Sequence, residues 1–96
     1  MITKEEILKT LAEEKNKLQS QFKIRKLALF GSYARGEQRL DSDVDILVEV
    51  DPSIGLEFVT LAEKIEKTLG VSVDLVSNRA VSPKARKFIE SELIYV

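Results

Sequence analysis

The sequence predicts an α/β fold (α+β under some schemes): one small sheet of three to four strands with helices packed against it. Three observations carry this prediction. Short apolar runs bounded by turn residues recur at positions 24–30, 43–50 and 71–76, which is the mark of strands. Apolar residues recur at helical spacing over positions 4–21 and 56–69. Strands that alternate with helices bury their faces as stacked layers. With 96 residues, positions 1–96 are expected to form one domain around one modest core.

Taken in order, Thr3 and Glu6 make a capping box, and Ile2 with Ile7 can staple the chain around it. Ile7, Leu8, Leu11 and Leu18 then give the first helix its apolar stripe. Its middle, positions 13–17, carries no apolar residue, so its grip on the core is weak there. The first strand, 24–30, stops at Gly31-Ser32. Ser32 is a candidate cap for the segment that follows, which Gly36 limits to one or two helical turns within positions 33–39. The second strand, 43–50, ends at Asp51-Pro52. Leu56, Val59, Ala62, Ile65 and Leu69 mark a second long helix, with Phe58 and Leu61 widening its stripe and Gly70 at the position of a glycine C-cap. In the third strand Val71, Val73 and Leu75 take one face, and Ser72, Asp74 and Val76 take the other. Ser82-Pro83 opens a last helix that runs to about position 91, with Phe88 and Ile89 expected inward. Positions 93–96 read equally as an edge strand or an extended tail.

Composition narrows the chemistry. Hydrophobic residues make up 44% of the chain and charged ones 32%, with a net charge of −1. That is globular composition, without the positive balance that would attract nucleic acid or an acidic membrane. The chain has neither cysteine nor histidine, which excludes thiol nucleophiles, disulfides, Ser-His-Asp triads and ordinary zinc sites, and leaves carboxylates. No apolar run approaches the roughly 20 residues of a membrane span, and MITKEE lacks a signal peptide's apolar core. Cytoplasm is the default expectation.

The chemistry concentrates in positions 27–50, LALFGSYARGEQRLDSDVDILVEV. Side chains alternate along a strand, so Val44, Ile46, Val48 and Val50 share one face and Asp43 and Asp45 the other. Two carboxylates that close repel each other unless a counter-charge is present, and oxygen-only ligation suits magnesium, manganese or calcium. The alternative is a strand entrance whose acids are merely solvated. A helix start directly after Gly31-Ser32 would present unpaired backbone N–H groups to an anion. Two familiar motifs fail. Gly31 and Gly36 have Walker A spacing, but Glu37-Gln38 replace its lysine and hydroxyl residue. Asp41, Asp43 and Asp45 imitate a calcium loop, but Ile46 replaces its glycine and Pro52 its last glutamate.

The sequence resembles the minimal nucleotidyltransferases of the DNA polymerase beta superfamily. The likeness rests on Phe30-Gly31-Ser32, a spacer from Tyr33 to Ser42, and Asp43-Val44-Asp45-Ile46, with Ala34-Arg35-Gly36 and Ser42 also matching small prokaryotic members. It covers nearly the whole chain. It implies the nucleotidyltransferase fold, with a small mixed sheet, and transfer of a nucleoside monophosphate, AMP from ATP above all, to a hydroxyl. It implies that Asp43, Asp45 and Asp74 hold two Mg2+ ions, that Asp74 helps activate the attacking hydroxyl, and that Gly31, Ser32 and Arg35 lie at the nucleotide's phosphates. The usual setting of such proteins is a toxin–antitoxin module, in which the transferase is the antitoxin and adenylylates a tyrosine of a HEPN-type toxin.

Alternatives stay open beside these roles. Ser32 can be only a helix cap, Arg35 a solvated surface residue, and Asp74 a strand flank. Arg79, Lys84, Arg86 and Lys87 read as a solvated helix face, or as a contact for an acidic partner. Other readings of the whole are a non-catalytic antitoxin or binding module, and a transferase on a small hydroxyl compound whose homodimer supplies the missing wall.

Overall fold

The computed structural model describes residues 2–96. The first helix, α1, spans Lys4–Phe22. Its capping box is formed: the Glu6 N–H donates to the Thr3 hydroxyl at 3.1 Å and the Thr3 N–H to the Glu6 carboxylate at 3.2 Å. Together these satisfy two of the helix's orphan donors. Ile7, Leu11, Leu18 and Phe22 are buried. The apolar gap at 13–17 is bridged from elsewhere, since Lys15 Nζ donates to the Val96 carbonyl at 2.6 Å. Lys23 ends α1 in the left-handed region (φ 55°).

Strand β1 is Ile24–Phe30, and β2 is Val44–Val50. They pair antiparallel, with an irregularity between Ile24 and Lys26. That bulge lets Ile24 and Leu27, three residues apart, both reach the core. Helix α2, Gly31–Arg35, fills the turn between them. It begins two residues earlier than the sequence suggests. Phe30 occupies the cap position without a side-chain hydrogen bond, so Ser32 lies inside the first turn and is not the cap. Gly36 closes the helix at φ 72°.

After a 3-10 turn at Pro52–Ile54, helix α3 spans Glu57–Leu69 and Gly70 caps it in the left-handed region. Leu61, Ile65 and Leu69 are buried, with Phe58 packed beside them. Leu56 and Val59, read from the sequence as part of this stripe, are 90% and 57% exposed. The helix begins after Leu56, and the stripe that faces the sheet descends from Phe58. Strand β3, Val73–Ser77, pairs parallel to β2, which places α3 as the crossover between them. A 3-10 turn at Asn78–Ala80 leads to helix α4, Pro83–Ile89, which Ser82 caps by accepting the Ala85 N–H. Phe88 is not inward but 73% exposed. A further 3-10 turn, Glu90–Glu92, ends in β4, Ile94–Tyr95, which pairs antiparallel with β1. Positions 93–96 therefore do contain an edge strand.

The sheet order is β3-β2-β1-β4, a mixed four-stranded sheet. One face carries Leu27, Leu29, Val44, Ile46, Val48 and Val50 against Ile7, Leu11, Leu61 and Ile65 of α1 and α3. Each such side chain, fully buried, contributes about 1.5–3 kcal/mol. The opposite face carries Asp45, Leu47 and Glu49 of β2 by strict alternation. No helix among the described residues is long and apolar enough to cross a membrane.

Candidate active site

The open face of the sheet brings together residues far apart in sequence. Asp45 stands on β2 between Phe30 of β1 and Asp74 of β3, its register partners on either side. Cross-strand partners share a face, so Asp74 joins Asp45 on the side away from α1 and α3, as the alternation of the third strand predicts. The strand begins at Val44, so Asp43 lies at the end of the preceding loop and is exposed. That loop is pinned on both sides. The Arg39 N–H donates to the Ser42 hydroxyl at 2.9 Å and the Ser42 N–H to the Arg39 carbonyl at 3.0 Å. The Val44 N–H then donates to the Ser72 carbonyl at 2.9 Å.

Asp45 is half-buried, and its carboxyl is pushed up from the ordinary 3.8 to about 6. Burial is the main cause, followed by the negative charges of Asp74 and Asp43. The positive charge of Arg35 opposes the shift, and Glu92 adds to it. The acids are therefore electrostatically coupled. They do not close into a ring, however. Among the described residues no three acidic side chains come close enough to hold one ion. The donor set still suits a hard divalent cation. All its donors are carboxylate oxygens, and Asp45 is partly desolvated beside like charges that Arg35 only partly offsets.

Gly31 has a role that the sequence did not disclose. Its φ is 78°, and a Cβ built on it would lie 2.8 Å from Asp45 Cγ and 3.0 Å from Asp45 Cβ. The glycine leaves the space in which the Asp45 carboxylate stands. Its N–H is not open to solvent, as a helix start after Gly-Ser suggested, but donates to Glu92 Oε1 at 3.0 Å. The second oxygen of that carboxylate accepts from Arg35 Nη1 at 2.9 Å, and Arg35 Nε donates to Glu37 at 3.2 Å. These carboxylates hold the guanidinium charged more firmly than usual, Glu92 most of all. Ser32 follows Gly31 in the first turn of α2. Gly31 thus lies against Asp45, Arg35 is near enough to act on its charge, and Asp74 is its partner on the adjoining strand. Glu92 is the residue that sequence reading missed. A lone glutamate in a charged C-terminal segment gives no signal, and only the return of β4 beside β1 carries it to α2.

A cleft of about 280 Å³, lined by Tyr33, Leu40, Asp43 and Ser72 among others, opens beside Asp43 and includes neither Asp45 nor Asp74. Leu40 is 90% exposed at its rim.

Comparison with known proteins fits this geometry. Residues 8–96 match the family described as nucleotidyltransferase domain. A protein of Thermococcus cleftensis named protein adenylyltransferase MntA is 43% identical over 98 residues, spanning 100% of this chain and 98% of that protein. A solved structure described provisionally as a minimal nucleotidyltransferase superposes with a TM-score of 0.78 at 35% identity, covering 97% of this chain and 95% of the other. A complex of tri-AMPylated Shewanella oneidensis HEPN toxin with MNT antitoxin gives a TM-score of 0.53 at 25% identity, over 96% of this chain and 66% of the other. With the family matched over most of its length and the acid pair, glycine turn and mixed sheet all in place, the chain belongs to the nucleotidyltransferase domain family and is a minimal nucleotidyltransferase enzyme.

Proposed function

We propose that this enzyme transfers AMP from ATP to a hydroxyl, that the acceptor is a tyrosine of a HEPN-type toxin, and that the chain serves as that toxin's antitoxin. The observation that carries the transfer chemistry is the parallel register of Asp45 with Asp74 beside Gly31. In the reaction the acceptor oxygen forms a bond to the α-phosphorus. The bond from that phosphorus to the bridging oxygen breaks, and pyrophosphate leaves with the electron pair. Asp74, exposed on the open face, takes the hydroxyl proton as general base. Gly31, Ser32 and Arg35 hold the terminal phosphates, where positioning and charge neutralisation do most of the work. Asp43, Asp45 and Asp74 would hold the two magnesium ions, which supply charge neutralisation at the attacking and leaving oxygens when bound.

The protein-directed reading is supported by the names of the relatives, an adenylyltransferase and an antitoxin held with its AMPylated toxin. It is also supported by what this chain lacks beside Asp43, where the exposed Leu40 rims an open cleft. A partner surface would supply the acceptor wall there. The test is to incubate the protein with labelled ATP, magnesium and a HEPN-type toxin protein. Adenylyl adducts on a tyrosine of that partner, absent with Asp45→Asn, are expected by mass spectrometry. An unmodified partner at full ATP turnover would reject the protein-directed reading.

A further inference from the structure

Glu92 contributes a fourth carboxylate to a site already crowded with negative charge. Its side chain is only 17% exposed, and its charge adds to the field that disfavours ionised Asp45. What holds it there is a pair of donors. One carboxylate oxygen takes the Gly31 N–H and the other takes the Arg35 guanidinium. An oxyanion with two oxygens a short distance apart, spanning a backbone N–H at a glycine turn and a nearby arginine, is arranged as a phosphate would be.

We propose that Glu92 is an internal anion that occupies the phosphate cradle and that the triphosphate must displace it. The inference rests on the site assigned above. A backbone N–H carries one hydrogen, so Gly31 cannot serve Glu92 and a phosphate oxygen together. Arg35 has further N–H groups, but its Nη1 and Nε are committed to Glu92 and Glu37. Full engagement of the cradle by nucleotide therefore needs the Glu92 contacts to open. Glu92 ends the 3-10 turn just before β4. Below it the chain is fixed by the Val96 N–H to the Leu27 carbonyl at 2.9 Å and by Lys15 on the Val96 carbonyl. The displaced carboxylate thus swings on an anchored segment and can return when product leaves. A cradle closed about nine-tenths of the time weakens apparent nucleotide affinity about tenfold, since only the open fraction binds.

The test is calorimetry of ATP with magnesium on the full chain. Glu92→Gln keeps the shape and an acceptor but removes the charge, and is expected to bind ATP about five- to tenfold more tightly. Glu37→Gln also removes a negative partner of Arg35 but leaves Gly31 untouched, and is expected to stay within about twofold of the parent. Equal or weaker binding by Glu92→Gln overturns the proposal, as does equal tightening by Glu37→Gln, which would reduce the effect to general charge. Should circular dichroism show Glu92→Gln unfolded, Glu92→Asp takes its place, because the shorter arm cannot span both donors and the same tightening is expected. A parent chain that binds no ATP overturns the site assignment and this proposal together. A parent that binds while the Glu92 variant is unchanged overturns this proposal alone.

Discussion

Replacing Asp45 by asparagine should make the metal-free protein more stable while abolishing its activity. In the folded chain the Asp45 carboxyl titrates at about 6 rather than at the ordinary 3.8. Between those values the folded state holds the proton more tightly than the unfolded state, so stability falls as pH rises from about 4 to 6 and then levels off. At about 1.4 kcal/mol per pH unit the gap corresponds to about 3 kcal/mol. Asp45 keeps contact with water, so screening reduces this to about 1–2 kcal/mol. Asparagine mimics the neutral carboxyl at every pH. The variant should therefore melt about 5–10 °C above the parent at pH 7, and the two should melt together below pH 4. The assay is thermal melting followed by circular dichroism, in chelator, at both pH values. A variant that melts lower at pH 7 would refute the reasoning, because Asp45 would then be a structural ion-pair partner of Arg35. An equal gain at both pH values would refute it as well, since the gain would not come from charge.

Three further outcomes are expected. Gly31→Ala forces a side chain into the Asp45 carboxylate at a left-handed φ and should cost about 1–3 kcal/mol in urea titration, with loss of activity; unchanged stability would mean that Asp45 is free to move aside. Asp74→Asn should leave ATP affinity nearly intact and lower turnover by about 100-fold or more, whereas a fully active variant would remove Asp74 from the chemistry. ATP should bind more tightly with magnesium than with chelator, since magnesium completes its shell with phosphates; equal affinities by calorimetry would reject a metal role for the acids.

The strands and helices were legible because their signals are local. The capping box at Thr3 and Glu6, the Ser82-Pro83 start and the Gly70 stop each appear where the sequence places them. So does the facing of Asp74, which alternation alone decides. The errors have physical causes of two kinds. Phe88, Leu56 and Val59 were read inward because an apolar residue near a helical stripe looks the same whether or not a neighbour covers it. The second strand was read as beginning at Asp43 rather than Val44 because periodicity cannot locate the residue at which pairing begins. The Ser72 carbonyl, which takes the Val44 N–H, sets that point.

Glycine in a Gly-Ser turn is readily read as room for a phosphate to approach the backbone. In this fold the space beside Gly31 on the sheet side is taken by Asp45, and its N–H by Glu92. The same residue therefore couples the acid that would hold metal to the cradle that would hold phosphate, through van der Waals contact on one side and a hydrogen bond on the other. A change at Gly31 cannot alter phosphate binding without disturbing Asp45. Loss of activity in such a variant is thus no measure of phosphate affinity. The two roles separate only by changes made at a distance from the glycine, through Arg35 and Glu92 on the phosphate side and through Asp74 on the acid side.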